Sequence, residues 1–79
     1  MDKVKELFAL ILGVDSNRIS TATTSQEIDS WTSLNHLNLV STFEQEFNIS
    51  IEPEEIVLMT ESFGKFQEII ISKLNSNEN

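Results

Sequence analysis

Cysteine and tyrosine are absent from this 79-residue chain, and there are only two glycines and one proline. Without cysteine there is no disulfide, no thiolate metal site and no thiol nucleophile. So little glycine and proline, with no tyrosine, argues against a turn-rich β architecture. Basic residues are also scarce, five against thirteen acids, for a net charge of -8. No Lys or Arg occurs between Arg18 and Lys65, whereas Glu27, Asp29, Glu44, Glu46, Glu52, Glu54, Glu55 and Glu61 all fall there. A nucleic-acid partner needs a basic footprint to neutralise phosphates, and this section carries the opposite sign. Anionic membrane surfaces are disfavoured for the same reason. A basic protein surface would be steered in, although acid-rich faces also serve simply to keep small domains soluble.

Long apolar runs are missing too. No stretch is long enough to span a bilayer, and Met1-Asp2-Lys3 leads into an amphipathic pattern instead of a signal-peptide core. The expectation is a soluble, cytoplasmic, monomeric protein with no membrane insertion. Its length allows a single domain, placed at residues 1–74, with residues 75–79 as a disordered polar tail.

The residues that are present form a helical pattern. Val4, Leu7, Phe8 and Ile11 recur at helical spacing, with Asp2 at the start and Gly13 just past the end. From Asp15 to Thr32 the rhythm is lost, which predicts a long loop pinned to the core by Ile19, Ile28 and Trp31. Connections of this length are usually functional. Asp15-Ser16-Asn17 has the opening of a calcium loop, but the sixth position is Ser20 instead of Gly and the twelfth is Gln26 instead of Glu. No metal site is expected.

A second helix is predicted from Ser33 to Phe47, capped by Thr32. Leu37, Val40, Phe43 and Phe47 form its inward face, flanked by Leu34 and Leu39. Pro53 opens a short third helix, with Glu54 and Glu55 at its positive end and Ile56, Val57 and Met59 as its apolar contacts. Phe63, Phe66, Ile69, Ile70 and Leu74 mark the last helix. The fold class is therefore all-α: three major helices and one short one, with a long loop between the first two.

Enzyme chemistry has few residues to work with. The sole histidine, His36, lies one turn after Ser33, but its position beside the Val40 and Phe43 face suits a buried structural histidine better than a general base. There is no glycine-rich phosphate loop. The chain is not expected to be an enzyme. What remains is a serine at the start of an amphipathic helix. Unpaired N–H groups and the helix dipole there favour a bound or attached phosphate. On the residues alone the plainer reading is that Thr32 or Ser33 merely caps the helix.

The ordered set Trp31-Thr32-Ser33-Leu34-Asn35-His36-Leu37-Asn38-Leu39-Val40, continuing to Phe43-Glu44-Gln45-Glu46-Phe47, resembles the acyl carrier protein family. That family carries Asp-Ser-Leu at the start of its second helix, with phosphopantetheine on the serine and an apolar–acidic–x–acidic–Phe ending. One subset has Trp before this motif and His two residues after the Leu, as Trp31 and His36 stand here. Val4 to Val14 is similar to the family's first helix and its Gly-Val end, and Ile51 to Ile56 to the approach to its third. The resemblance spans residue 4 to about residue 74.

The resemblance implies a bundle that holds an acyl group as a thioester on a 4′-phosphopantetheine arm attached to Ser33. The partners it implies are a phosphopantetheinyl transferase and acyl-loading and acyl-transferring enzymes with basic docking patches. It places Leu34, Leu37 and Ile56 around the arm, and Glu44, Glu46, Glu54 and Glu55 against those patches. The pathway would be fatty-acid-type synthesis or a more specialised lipid, secondary-metabolite or glycan route. One residue departs from the pattern: the family's Asp before the serine is Thr32. The upstream pair Asp29-Ser30 offers another register, but counting from Ser30 lengthens the helix by three residues before Phe47 and puts Trp31 where the Leu belongs. Thr32 can cap but supplies no charge, which implies altered, dedicated partners. The alternative is an unmodified acidic interaction module of the same shape.

Overall fold

The computed structural model describes residues 3–76 as four α-helices: α1 (Lys3–Leu12), α2 (Ser33–Phe47), α3 (Pro53–Leu58) and α4 (Phe63–Ser76). No strand occurs among the described residues. Asp2, expected at the start of α1, lies outside them. So do residues 77–79 of the expected tail, while α4 continues two residues beyond Leu74. No described helix is long and apolar enough to cross a membrane.

One core joins all four helices. Phe8 of α1, Leu39 and Phe43 of α2, Met59 just after α3, and Phe63, Phe66 and Ile70 of α4 are fully buried. Aromatic rings set its geometry. Phe8 meets Trp31, Phe63 and Phe66 edge to face at centroid distances of 5.0, 4.8 and 5.1 Å, and Phe43 meets Phe66 at 5.0 Å. Each such pair contributes about 0.5–1.5 kcal/mol beyond the area it buries.

The inward face of α2 differs from the sequence expectation. Leu37 is 55% exposed, and the buried residues are His36, Leu39, Val40 and Phe43. Side chains two positions apart on a helix point about 200° from each other, so Leu37 and Leu39 cannot both face the core. Burial of His36 and Leu39 turns the helix so that Leu37 lies outside. Val57 is likewise 68% exposed instead of supplying an apolar contact for α3, while Met59 does fill the core.

The long connection is held as predicted, with Ile19, Ile28 and Trp31 all buried. A short 3-10 turn (Ser16–Arg18), capped by the Asp15 carboxylate, interrupts it. The loop also completes α4. The carbonyls of Thr23 and Thr21 accept the first N–H groups of that helix, from Phe63 at 2.8 Å and Gly64 at 3.0 Å. Helix N-termini leave such donors unpaired otherwise. Gly64 is required at this contact, because a Cβ there would come within 2.7 Å of the Thr21 carbonyl oxygen. Loop and last helix thus fix each other, and the loop delivers the chain to the start of α2.

Candidate functional site

Thr32 starts α2 in an extended conformation, and its Oγ1 accepts the N–H of Asn35 at 3.2 Å. That bond does the capping, and it leaves Ser33 free of the task. Ser33 is exposed, and no described residue engages its hydroxyl. The backbone N–H groups of Ser33 and Leu34 have no acceptor among the described residues. Unpaired N–H groups at a helix start are donors available to an anion.

Ser30 occupies a different environment. Its Oγ donates to the Leu12 carbonyl at 2.7 Å, tying the loop to the last turn of α1. Its own carbonyl accepts from the Asn35 side chain, also at 2.7 Å. Of the two serines, Ser30 has its hydroxyl committed to the Leu12 carbonyl, and Ser33 is exposed.

His36 is buried one turn into α2, and both ring nitrogens are engaged. The indole Nε1–H of Trp31 donates to Nδ1 at 3.0 Å, and Nε2 lies 2.8 Å from the Ile56 carbonyl oxygen. Because Nδ1 accepts, Nε2 carries the proton and donates to Ile56. Burial lowers the imidazole pKa, against an opposing effect of the Ile56 hydrogen bond. A neutral ring with both nitrogens occupied cannot take a proton from Ser33. Instead, the Trp31–His36–Ile56 chain connects the loop, the start of α2 and α3. Spacing marks Trp31 and His36 in the sequence. Their partner on α3 leaves no local signal there, since it is a backbone carbonyl twenty residues on.

The residues expected around the site separate into two groups. Leu34 and Leu37 stand exposed on α2 beside Ser33, at 71% and 55%, whereas Ile56 is half-buried and holds His36 through its carbonyl. Leu37 and Val57 each follow directly on one of the two residues joined by that contact. On α3, Val57 and Leu58 are also exposed.

The four carboxylates expected to meet partners also divide. Glu46 and Glu54 are exposed. Glu44 is half-buried, and its carboxylate accepts the N–H of Ile51 at 2.9 Å, bracing the turn between α2 and α3. Glu55 closes a capping box with Glu52 and pairs with Lys73 of α4 at 2.8 Å. The Lys73 ammonium beside it, aided by the Glu52 N–H, holds the Glu55 carboxyl below its ordinary range. Within the first two turns of α2, every exposed side chain is uncharged: Ser33, Leu34, Leu37 and Asn38.

The fold is similar to one seen in a solved structure. The solution NMR structure of holo acyl carrier protein from Geobacter metallireducens matches with a TM-score of 0.81, covering 94% of this chain and 84% of that one at 24% sequence identity. No protein-family model matches the sequence. No curated protein matches it either. At this identity the likeness is one of fold, and the chain is an all-helical domain of acyl-carrier-protein shape.

Proposed function

We propose that the chain is an acyl carrier, with 4′-phosphopantetheine joined to Ser33 Oγ as a phosphodiester and the arm's thiol carrying an acyl thioester for partner enzymes. The observation that carries this reading is the state of Ser33. It is exposed, unengaged, and placed at the start of α2 in a fold shared with a holo acyl carrier protein. The residues present fit the group. The N–H groups of Ser33 and Leu34 have no acceptor among the described residues and could serve a phosphate on Ser33 Oγ, and Thr32 caps the helix without using the Ser33 hydroxyl. When bound, the arm supplies the thiol chemistry that a chain without cysteine lacks.

In this reading Ser33 holds the arm, Leu34 and Leu37 border it, and Glu46 and Glu54 attract basic partner surfaces. Glu44 and Glu55 act inside the fold first, through Ile51 and Lys73. Thr32 in place of an acid makes the entry to Ser33 uncharged and points to dedicated partners in a specialised pathway. The competing reading, an unmodified acidic adaptor, draws on the same residue, since Thr32 serves as a plain helix cap. Co-expression with a broad-specificity phosphopantetheinyl transferase separates the two. Carriage predicts one phosphopantetheinyl adduct in the intact mass, lost in Ser33→Ala, whereas no adduct under any transferase supports the adaptor.

A further inference from the structure

We infer that the cargo borne at Ser33 is a short or polar acyl group that stays outside the bundle, because the rings of Phe66, Phe43, Trp31 and His36 fill the interior beside the attachment point and the His36–Ile56 hydrogen bond bolts α2 to α3. The inference deepens the carrier reading of Ser33 and rests on it.

Ser33 lies between Trp31 and His36 in the chain, and both of these side chains point inward and are buried. His36 packs against Phe66 at a centroid distance of 6.1 Å, and Phe66 packs on Phe43 at 5.0 Å and Phe8 at 5.1 Å. Phe8, Phe43 and Phe66 are fully buried, so this stack is closed to solvent. An alkyl chain entering between α2 and α3 beside His36 meets the bond to Ile56 and the buried rings behind it. Breaking that bond leaves the His36 Nε2–H and the half-buried Ile56 carbonyl unpaired.

An open cleft lies elsewhere. A cavity of about 660 Å³ sits between the end of α1 and the loop, lined by Leu12, Ile19 and Ile28 but rimmed by Arg18, Glu27 and Asp29. No residue of α2 or α3 lines it. Its rim charges suit a polar guest better than a hydrocarbon. A long alkyl chain on Ser33 thus forfeits the burial that makes sheltering it favourable, methylene by methylene. Short or polar acyl groups lose nothing by remaining outside.

The test loads Ser33 with acetyl and octanoyl arms, using a broad-specificity transferase and the two acyl-coenzyme A donors, with intact mass to confirm loading. Each thioester is then treated with hydroxylamine. The amine attacks the thioester carbonyl, the C–S bond breaks, the thiol leaves with a proton, and the acyl group departs as a hydroxamate. With no shelter, both protein-bound thioesters react within about twofold of their free acyl-coenzyme A, since no apolar burial protects either. The Trp31 indole N–H resonance and the thermal midpoint are then the same for the two cargoes. An octanoyl thioester protected about tenfold or more, as a locally closed state would give, or a shifted indole resonance, overturns this inference and leaves the carrier reading standing. Absence of any adduct at Ser33 overturns the carrier reading and this inference with it.

Discussion

Nε2 of His36 donates to the carbonyl oxygen of Ile56 across 2.8 Å, in the tautomer that lets Nδ1 accept the Trp31 indole N–H at 3.0 Å. The bond joins the first turn of α2 to α3, so the surface beside Ser33 is held by a buried neutral imidazole. The remaining charged groups on the surrounding elements are directed elsewhere. Glu55 pairs with Lys73, Lys65 pairs with Glu68, and Asp29, Glu52 and Glu54 are exposed.

This arrangement fixes a pH dependence. Burial holds the folded-state pKa of His36 below the ordinary 6.5. The unfolded chain therefore takes up a proton first as the pH falls, and stability declines from about pH 6.5 downward until the folded state also protonates. Glu55 adds a second decline at lower pH, because its carboxyl is depressed in the fold by Lys73. Urea titrations from about pH 2.5 to pH 8, followed by Trp31 fluorescence, are expected to show both phases. His36→Leu removes the first phase and costs about 1–3 kcal/mol for each buried group left unpaired. A pH profile unchanged by His36→Leu would contradict the lowered pKa of the buried His36 ring.

Thr32 provides the cap without the charge. Thr32→Ala is expected to destabilise the fold by about 1 kcal/mol through loss of the bond to the Asn35 N–H. Thr32→Asp keeps the cap and adds a favourable interaction with the helix dipole, so stability holds or rises by about 0.3–1 kcal/mol. The same variant should be modified faster than the parent by a transferase that reads acid beside the serine. Thermal melts and initial modification rates measure the two effects separately.

Glu44 and Glu46 sit two positions apart and should behave differently. Glu44→Ala strands the Ile51 N–H and is expected to cost about 1–3 kcal/mol. Glu46→Ala, on the exposed side, should fall within about 0.5 kcal/mol of the parent. Equal losses in chemical denaturation would show that the Glu44 contact contributes little.

Much of this was legible along the chain because local rules govern it. Helical spacing located α1, α2 and α4, Pro53 marked the start of α3, and isolated apolar residues identified the loop's anchors. The errors arose where a distant partner chose between local options. Nothing near Leu37 says that His36 will be held by Ile56, yet with His36 and Leu39 buried Leu37 lies outside. Glu44 reads as a surface acid until the turn after α2 brings the Ile51 N–H back to it. The dependence of α4 on the carbonyls of Thr21 and Thr23 is equally non-local. Register selects Ser33 over Ser30 in the sequence; in the fold the Ser33 side chain is exposed, whereas the Ser30 hydroxyl is engaged by the Leu12 carbonyl.

The most direct test of the central claim is fragment mass spectrometry of the protein after treatment with coenzyme A and a broad-specificity transferase. The account predicts a single phosphopantetheinyl group located on Ser33, retained in full by Ser30→Ala. An adduct on Ser30, or none at either serine with any transferase, would contradict it.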